Sequence, residues 1–433
     1  MLDSVVDPDL AQEKKWRRRI CEDRTEVRKR RAKLRKAGAV GNLDGMANHR
    51  EFLLTSPKAK RVAIADLMKR GKITGITNLD DMKGLADQID VFAANTEPVK
   101  VSPKEKTSKL GHRIIFEFGI RHRVAQEMIR RVLDCQYTPR KFQVFNSGVP
   151  TTIVKALALV SSGYVYAAHL DIRDCFPSFK SKRLSEFLSL EEQVIENALT
   201  GQKMVLKPTH RLGAYPYSVQ HLTEAARRGL PQGASTSPVV AHTCLSGLEL
   251  PDTTLEHSFN YEDDFLVLAK SEAELDHKIA ALKAAVGNLP GGHFVLVLKA
   301  QEHLANGIDF LGHRLSIING QPVAEPTEEN IQRLSKKLAN IEQRSGAFSN
   351  AKGVVDLPAL KQLTSDKLAL LDGWMSAFGA CAPITETWCS VEGMKEDAFT
   401  DLSKHGWDGS ALPPPSSNAV RQSKKFYSYK WFS

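Results

Sequence analysis

Alternation between short apolar runs and polar turns in the middle of the chain predicts β-strands. Residues 259–268 place apolar and aromatic side chains on both sides of three consecutive acidic residues that begin at Glu262. Two apolar runs around a short polar turn are typical of a β-hairpin, so the carboxylates are predicted at the bend. A second β-rich run, residues 164–170, ends at Asp171, and a third, residues 294–298, predicts a buried strand. The first two patterns predict strands that carry carboxylates at their ends.

Apolar residues at intervals of three and four positions predict amphipathic helices around this region. Residues 41–95 are expected to be helical, with Asp80 or Asp81 as the N-cap of one helix. Residues 182–225 predict a helical insert broken by prolines, and residues 273–289 predict a helix that packs beneath the sheet. The pattern as a whole predicts a protein with both helices and sheets.

Positive charge is densest in the first 40 residues. Residues 9–37 contain neither glycine nor proline, which predicts one long basic helix. Lysine and arginine neutralise phosphate groups and release counterions, so we expect this helix to bind nucleic acid. A solvated helix face is the alternative. The arginines expected to make this contact are Arg17, Arg18, Arg19, Arg30 and Arg31.

Composition narrows the classes of protein further. The 433 residues carry a net charge of +10, which favours a polyanionic partner. No apolar run approaches the about 20 residues that a helix needs to cross a bilayer, and the N-terminal residues lack the apolar core of a signal peptide. The six cysteines are scattered without the spacing of a metal site, as expected in a reducing compartment. We therefore expect a cytoplasmic protein that makes no membrane contact.

Adjacent aspartates on one turn repel each other unless a cation lies between them. Mg²⁺ accepts carboxylate oxygens together with substrate phosphates, which suits two-metal phosphoryl transfer. Asp263 and Asp264, with Asp171 as a third carboxylate in a similar context, are therefore candidate metal ligands. For the acidic turn considered alone, a solvated turn is the alternative.

Four sequence blocks resemble those of the reverse transcriptases, in the same order and with similar spacing. They are LDIRDCFPSF at residues 170–179, GLPQGASTSP at 229–238, YEDDF at 261–265 and FLGH at 310–313. The GLPQG block is most similar to bacterial retron-type and group II intron-like enzymes and their defence-associated relatives. Glu262 departs from the family, which has a small residue or methionine there. The thumb region also lacks the VTG segment typical of retrons, which favours a defence-associated relative of the unknown groups.

The resemblance implies an α+β fold of the right-hand polymerase type, with fingers, a palm built on an antiparallel sheet, and a helical thumb. It divides the chain into five segments. These are a basic helical N-terminal extension at residues 1–95, fingers at 96–163, the catalytic palm at 164–315, the thumb at 316–400, and a linker with an aromatic and basic tail at 401–433.

The same resemblance assigns roles to individual residues. Asp171, Asp263 and Asp264 are the implied catalytic carboxylates and hold two Mg²⁺ ions, with Mn²⁺ as a substitute, and Ile172 adds a metal ligand through its backbone. Phe176 is the implied steric gate that excludes a ribose 2′-hydroxyl. The candidates for contact with the incoming dNTP are Arg113, Arg123, Gln232 and Gly233, and the thumb candidates for contact with nucleic acid are Lys336 and Lys337.

Many family members have a lysine shortly after the strand that corresponds to residues 294–298, where it is suspected of protonating the departing pyrophosphate. This chain has no clear counterpart, and His303 and Lys299 lie nearest to the matching position. The sequence assigns a role to neither residue.

The implied function is that of an RNA-directed DNA polymerase, a nucleotidyltransferase that makes cDNA from dNTPs. The expected partner is a non-coding RNA that serves as template or primer, and the expected role is anti-phage defence. An untemplated or protein-primed DNA synthesiser of the abortive-infection type is one alternative. A group II intron-derived maturase or RNA-binding scaffold is another, although three intact carboxylates argue against a non-catalytic scaffold. An oligomer or an effector protein is left open.

Overall fold

The computed structural model describes residues 8–105, 112–209, 218–345, 356–381 and 386–424 of the chain. The predicted aromatic and basic tail beyond residue 424 lies outside the described residues. Helices and small sheets occur together, so this is a mixed α+β protein. The chain divides into two compact units. The first unit contains Met1–Arg140, Ile172–Glu249 and Ala284–Val295, and the second unit contains Lys141–Asp171, Leu250–Lys283 and Leu296–Ser433.

The helices of the described residues are α1 (Pro8–Ala39), α2 (Leu43–Thr55), α3 (Pro57–Lys69), α4 (Leu79–Asp87), α5 (Ile120–Gln136), α6 (Val149–Ser161), α7 (Cys175–Ser178), α8 (Glu192–Val194), α9 (Val219–Ala226), α10 (Ser237–Ser246), α11 (Asp252–Leu255), α12 (Glu272–Gly287), α13 (Glu328–Ser345), α14 (Leu357–Ala377), α15 (Glu386–Lys404) and α16 (Ser417–Lys424). The strands are β1 (Val99–Glu105), β2 (His112–Glu117), β3 (Tyr166–Ile172), β4 (Leu206–Pro208), β5 (Ser258–Tyr261), β6 (Asp264–Ala269), β7 (Leu296–His303), β8 (Ile308–Phe310), β9 (His313–Ile318) and β10 (Gln321–Pro326). Short 3₁₀-helices cover Phe145–Ser147 and Ser181–Glu186, and a π-helical turn covers Ile195–Leu199.

The basic helix predicted at the N-terminus is present as α1. Its apolar residues Ile20, Val27 and Leu34 recur every seven positions and are buried, on the side where α1 contacts α2, α3 and α5. Burying a leucine or isoleucine side chain stabilises a fold by about 1.5–3 kcal/mol. This narrow apolar stripe therefore anchors a helix whose sequence is otherwise dominated by charge.

Charged side chains between α1, α3 and α5 pair with each other. Asp23 is 1% exposed and accepts a hydrogen bond from Arg61 at 2.7 Å. Glu127 is 2% exposed and accepts from Arg130 and Arg131, both at 3.1 Å. Burial acts to raise the pKa of Glu127, but the hydrogen bonds and charges of the arginines outweigh burial and lower that pKa below its ordinary value. Removing Arg61 would leave the buried carboxylate of Asp23 with only the half-exposed Arg19 at 3.8 Å, which costs several kcal/mol.

The N-cap of α4 differs from the sequence prediction. Asn78 precedes the helix, and its Oδ1 accepts from the backbone N–H groups of Asp80 and Asp81, both at 2.9 Å. Asp81 in turn accepts from the backbone N–H of Thr77 at 2.9 Å. The two aspartates lie in the first turn, where the partial positive charge of the helix N-terminus favours carboxylates. The prediction that Asp80 or Asp81 caps the helix was therefore wrong by two or three residues, because Asn and Asp are equally good caps.

A three-stranded sheet, in the order β2-β1-β4, lies in the first unit. β1 and β2 pair antiparallel with Ser102 opposite Ile115, and β4 pairs with β1 in parallel. The sheet packs against α9 through a core of Val99, Val101, Phe116, Phe118, Leu222 and Ala226. The insert at residues 182–225 is only partly helical, since it contributes β4 together with short helical turns.

A four-stranded sheet, in the order β5-β6-β3-β7, lies at the centre of the second unit. β3 and β5 both pair antiparallel with β6, which confirms the hairpin predicted at residues 259–268 and the strand predicted before Asp171. The third predicted strand is displaced: β7 begins at Leu296 and runs to His303, and Val295 is 54% exposed. β7 is an edge strand, which tolerates polar residues, so the apolar run does not mark its ends.

Successive side chains of this sheet point to opposite faces. One face packs against α6 and the sheet β10-β9-β8 through a core of Ala167, Leu266, Leu268, Ile153, Ala156, Phe310 and Leu315. By alternation, His169, Asp171 and Asp264 lie on the same face as Ala167. A cluster of polar side chains therefore borders an apolar core.

The helical region predicted at the C-terminal end is present. α13 begins directly after Thr327, and α14 covers Leu357–Ala377. Asp366 of α14 accepts from the backbone N–H and the hydroxyl of Ser416, both at 2.7 Å, and so fixes the segment before α16. The core between these helices consists of Leu334, Ile341, Leu370, Leu371, Trp374 and Phe378.

Among the helices of the described ranges, none combines the length and the apolar character that crossing a bilayer requires. All six cysteines lie within the described ranges, and none of them forms a disulfide bond.

A tight turn between β8 and β9 buries a histidine. Phe310 pairs with His313 across the turn, and the central residues Leu311 and Gly312 have φ angles of 49° and 78°, the left-handed pair that two-residue hairpins favour. His313 is 1% exposed, and its ring centroid lies 4.8 Å from that of Phe378. Burial lowers the pKa of His313 to about 4, although its hydrogen bond with the carbonyl oxygen of Leu311 acts in the opposite direction.

His313 is expected to make folding sensitive to acid. The unfolded chain takes up a proton at this ring near its ordinary pKa of 6.5, whereas the folded protein does so only near pH 4. The stability that this residue contributes is therefore complete above pH 6.5 and falls as the pH drops towards 4. We expect His313→Gln to reduce the loss of unfolding free energy between pH 7 and pH 5 by about 2 kcal/mol, measured by urea unfolding.

The matched control is His277→Gln, because His277 is exposed on α12. This variant should keep the acid sensitivity of the wild type. Identical pH dependence in the wild type and His313→Gln would show that the buried ring does not carry the effect.

Candidate active site

A two-residue turn joins β5 and β6 at the tip of the hairpin. Tyr261 pairs with Asp264 across the turn, so Glu262 and Asp263 are its central residues. Glu262 has a φ of 59°, in the left-handed region that costs a residue with a side chain about 1 kcal/mol or more. The buried Asn260 offsets this cost, since its Nδ2 donates to the carbonyl oxygens of Glu262 at 2.8 Å and Asp264 at 3.2 Å. Asn260 thus fixes the turn that carries the predicted carboxylates.

Tyr261 leads into this acidic turn and stays neutral. It is 9% exposed, and burial, with the charge of Glu262 in addition, raises the pKa of its hydroxyl to about 12. A phenol that keeps its proton adds no further negative charge to a tip that already carries three carboxylates.

Asp171 and Asp264 lie directly opposite each other on β3 and β6. Only 17% of the Asp171 side chain and 5% of the Asp264 side chain are exposed. Like charges that face each other across two strands destabilise a sheet, and burial increases the cost. The sheet therefore needs cationic or hydrogen-donating neighbours at this position.

Two side chains of the same sheet supply these neighbours. Lys299 on β7 places its Nζ 2.7 Å from Oδ2 of Asp171, and His169 on β3 places its Nε2 3.1 Å from Oδ1 of Asp264. The ring of Phe310 meets the His169 ring edge-on, with centroids 5.7 Å apart. His169 was not among the residues predicted from the sequence. Its position two residues before Asp171, and therefore on the same strand face, is the signal that could have found it.

The carboxylate donors suit a divalent cation. Asp171, Asp264 and the half-buried Asp263 offer oxygen ligands of the kind that Mg²⁺ takes, and the ammonium of Lys299 already lies against Asp171 as a cation would. Within the described ranges, no group of three or more His, Cys, Asp or Glu side chains has a geometry that could hold a metal ion. Two of the three predicted ligands therefore face each other, while the three-carboxylate site and the backbone contribution of Ile172 stay predictions.

In the first unit, the loop that follows α9 is tied to the turn of Phe176. The backbone N–H of Leu230 donates to the carbonyl oxygen of Phe176 at 2.9 Å. Gly229 has a φ of 64°, and a Cβ there would overlap the same carbonyl group. Only glycine allows this approach, so the backbone of Phe176, the predicted steric gate, is held in place.

The second glycine of this loop lies against β2. Gly233 has a φ of 108°, and a Cβ there would lie 2.7 Å from the carbonyl oxygen of Phe116, whose N–H donates to the carbonyl oxygen of Gln232 at 2.9 Å. Gln126 of α5 is 2% exposed, and its Oε1 accepts from the N–H of Ser235 at 3.3 Å. Gln126 was not among the residues predicted from the sequence. A polar glutamine on the apolar face of an amphipathic helix is the pattern that could have indicated its role.

The two arginines predicted to contact the nucleotide have different surroundings. Arg113 lies on β2 opposite Lys104 and is half-buried. Arg123 donates to the carbonyl oxygens of Phe118 at 2.7 Å and Lys72 at 3.3 Å. Arg123 therefore holds backbone segments of the first unit together, a contact that the sequence did not predict.

The residues predicted to contact nucleic acid differ in exposure. Those with exposed side chains are Arg17, Arg18, Arg19 and Lys336, and Arg18 also donates to Glu22 on α1 at 3.2 Å. The less exposed residues are Arg30, which pairs with Glu26 at 3.0 Å, Arg31, which pairs with Asp134 at 3.7 Å, and Lys337, which donates to the carbonyl oxygen of Gln422 at 3.1 Å. The inward-facing arginines are part of the packing between α1 and its neighbours.

Known proteins resemble this chain only weakly. No protein-family model and no curated protein sequence matches the chain. Among solved structures, the telomerase from Candida albicans in complex with the TWJ fragment of telomeric RNA is similar at 12% identity, covering 86% of this chain and 69% of the telomerase chain, with a TM-score of 0.34. A TM-score this low does not define the fold, so any assignment of function rests on the residues of this chain.

Asn260→Ala tests whether the amide holds the hairpin tip. The substitution removes the donor to two buried carbonyl groups and leaves a cavity, so we expect the free energy of unfolding to fall by about 2–4 kcal/mol in urea denaturation. Asn306→Ala is the matched control, because its exposed amide donates to Glu302 at 3.1 Å, and it should cost less than about 0.5 kcal/mol. Equal losses in the two variants would contradict this role of Asn260.

Proposed function

We propose that this protein is an RNA-directed DNA polymerase, a reverse transcriptase that makes cDNA from dNTPs. The observation that carries the proposal is the position of Asp171 directly opposite Asp264 on adjacent strands, with Asp263 next to it on the turn. This arrangement costs stability, because like charges face each other in a largely buried place. A costly group of carboxylates, inside sequence blocks similar to those of polymerases, is better explained by catalysis than by folding.

The carboxylates are proposed to act through a bound cation. Mg²⁺ or Mn²⁺ held by Asp171, Asp263 and Asp264 would activate the 3′-hydroxyl of a primer and neutralise the departing pyrophosphate. The sheet keeps Asp171 and Asp264 in register, and Asn260 fixes the turn that carries Asp263. Two of the three proposed ligands are therefore held opposite each other before the reactants bind.

Phe176 is proposed as the steric gate for the sugar. Its carbonyl oxygen accepts a hydrogen bond from the N–H of Leu230 at 2.9 Å. The backbone that carries the aromatic ring is therefore fixed. A fixed aromatic ring rejects a ribose 2′-hydroxyl by steric overlap, which selects dNTPs. Gln232, Gly233 and Arg113 are proposed to contact the nucleotide, and Arg123 to keep the neighbouring backbone in place.

The proposed RNA partner agrees with the charge of the protein. Arg17, Arg18 and Arg19 are exposed on α1, and the chain carries a net charge of +10. Such side chains neutralise phosphates without reading sequence. We extend the proposal to a dedicated non-coding RNA, as template or primer, and to a role in anti-phage defence. This extension is supported only by the resemblance to retron-like and defence-associated enzymes.

The double variant Asp263→Asn with Asp264→Asn tests the polymerase proposal. We expect dNTP incorporation to fall by at least about a thousandfold, because the metal ligands are lost while the fold is kept. Both proteins should co-purify with the same RNA, but only the wild type with DNA complementary to that RNA, as measured by sequencing. Asp276→Asn, on the exposed face of α12, should behave as the wild type.

Each alternative gives a different result in this experiment. Undiminished incorporation by the double variant would remove the polymerase proposal. DNA in the wild-type preparation without any match to the bound RNA would favour untemplated synthesis instead.

Phe176→Ala tests the steric gate. With the ring removed, we expect discrimination between dNTPs and rNTPs to fall by about tenfold or more in single-nucleotide incorporation assays. Phe399→Ala removes a phenylalanine that is 38% exposed on α15 and should leave discrimination unchanged. Unchanged discrimination in Phe176→Ala would exclude Phe176 as the gate.

A further inference from the structure

The two opposed carboxylates have chemically different partners. Asp171 contacts the ammonium of Lys299, with Nζ and Oδ2 separated by 2.7 Å. Asp264 contacts the imidazole of His169, with Nε2 and Oδ1 separated by 3.1 Å. A lysine carries a full positive charge at neutral pH. The ammonium therefore offsets the charge of Asp171 and lowers the repulsion between the two aspartates.

Lys299 approaches Asp171 from within the sheet. It lies on β7, which is hydrogen-bonded to β3, and 28% of its side chain is exposed. An ion pair in this partly buried position is stronger than one on the open surface. The lysine stem has four rotatable bonds, so the ammonium can move away from Asp171 while the strand keeps its place.

We propose that Lys299 is a built-in counterion of Asp171, which a divalent cation displaces when it binds. This inference rests on the proposed polymerase function, in which the carboxylates bind metal. A metal ion contacts a carboxylate oxygen at about 2.1 Å and repels an ammonium group beside it. Metal binding is therefore an exchange of one cation for another.

The exchange couples stability to metal affinity. The contact between Lys299 and Asp171 stabilises the metal-free sheet, and the same free energy must be given up when the metal binds. Lys299 thus keeps the carboxylates in place without metal and weakens their affinity for it. Removing the charge of Lys299 should reverse both effects.

Two other roles for Lys299 make different predictions. A purely structural ion pair would stabilise the protein equally with and without metal and leave metal affinity unchanged. A proton donor to the leaving group would change turnover but neither metal affinity nor the stability of the metal-free protein.

Lys299→Met tests the inference in the full-length protein, because methionine keeps the apolar stem and removes the charge. We expect Mn²⁺ to bind about tenfold tighter in EPR titrations, which corresponds to about 1.4 kcal/mol. The melting temperature should be lower than that of the wild type without metal and should recover when Mn²⁺ is added. Lys299→Arg keeps the charge and should retain the wild-type affinity. The Mn²⁺ site is identified by its loss in Asp171→Asn.

Lys278→Met is the matched control. Lys278 pairs with Glu274 on α12 at 2.7 Å, the same separation as between Lys299 and Asp171. Its removal should lower stability equally with and without Mn²⁺ and leave the affinity for Mn²⁺ unchanged.

The Mn²⁺ titrations distinguish a failure of the counterion role from a failure of the proposed polymerase function. Unchanged Mn²⁺ affinity in Lys299→Met, with Mn²⁺ binding that depends on Asp171, would overturn the counterion role and leave the polymerase proposal intact. No Asp171-dependent Mn²⁺ binding in the wild type would overturn both.

A measurement on the wild type decides the case in which Lys299→Met does not fold. Acetylation of Lys299 by an amine-reactive reagent, followed by mass spectrometry, should increase several-fold on addition of Mn²⁺, because the amine is released from Asp171. Labelling of Lys278 should not change. Lys299 labelling that does not respond to Mn²⁺ would overturn the inference.

Discussion

Repulsion between two aspartates on neighbouring strands is the constraint that shapes the sheet of the second unit. Antiparallel pairing of β3 with β6 sets Asp171 against Asp264, and burial of both side chains increases the cost. Lys299 offsets part of this cost by its positive charge, and His169 does so by a hydrogen bond from its ring, while Asn260 fixes the turn that follows β5. The apolar core on the same face of the sheet supplies stability that offsets the cost of burying these charges.

The first unit positions its loop through backbone contacts instead of charge. Two glycines let the loop after α9 approach the carbonyl groups of Phe176 and Phe116, where any side chain would overlap. Gln126 adds a hydrogen bond from the buried side of α5. The carboxylates of the second unit are thus held by charge and hydrogen bonds from side chains. The loop of the first unit is held by close backbone contacts at two glycines and by the hydrogen bond to Gln126.

Local patterns in the sequence predicted the hairpin at β5 and β6, the strand before Asp171, and most long helices, because alternation and helical spacing are properties of short segments. The contacts of individual side chains could not be predicted in this way. Arg31 looks like a phosphate-binding residue until Asp134 is found 3.7 Å away, and Lys299 had no role until β7 placed it beside Asp171. Such pairs join residues far apart in the chain, and a pattern along the chain contains no information about them.

The interleaving of the two units has a consequence for biosynthesis. The first unit takes its last segment, Ala284–Val295, from a region that follows the hairpin of the second unit in the chain. During translation, the N-terminal helices leave the ribosome long before that segment exists, so their unit cannot close as they emerge. Native contacts over such sequence distances slow folding and prolong the exposure of apolar surface. We expect such a chain to expose apolar surface, of the kind that chaperones bind, at least until Val295 has been made.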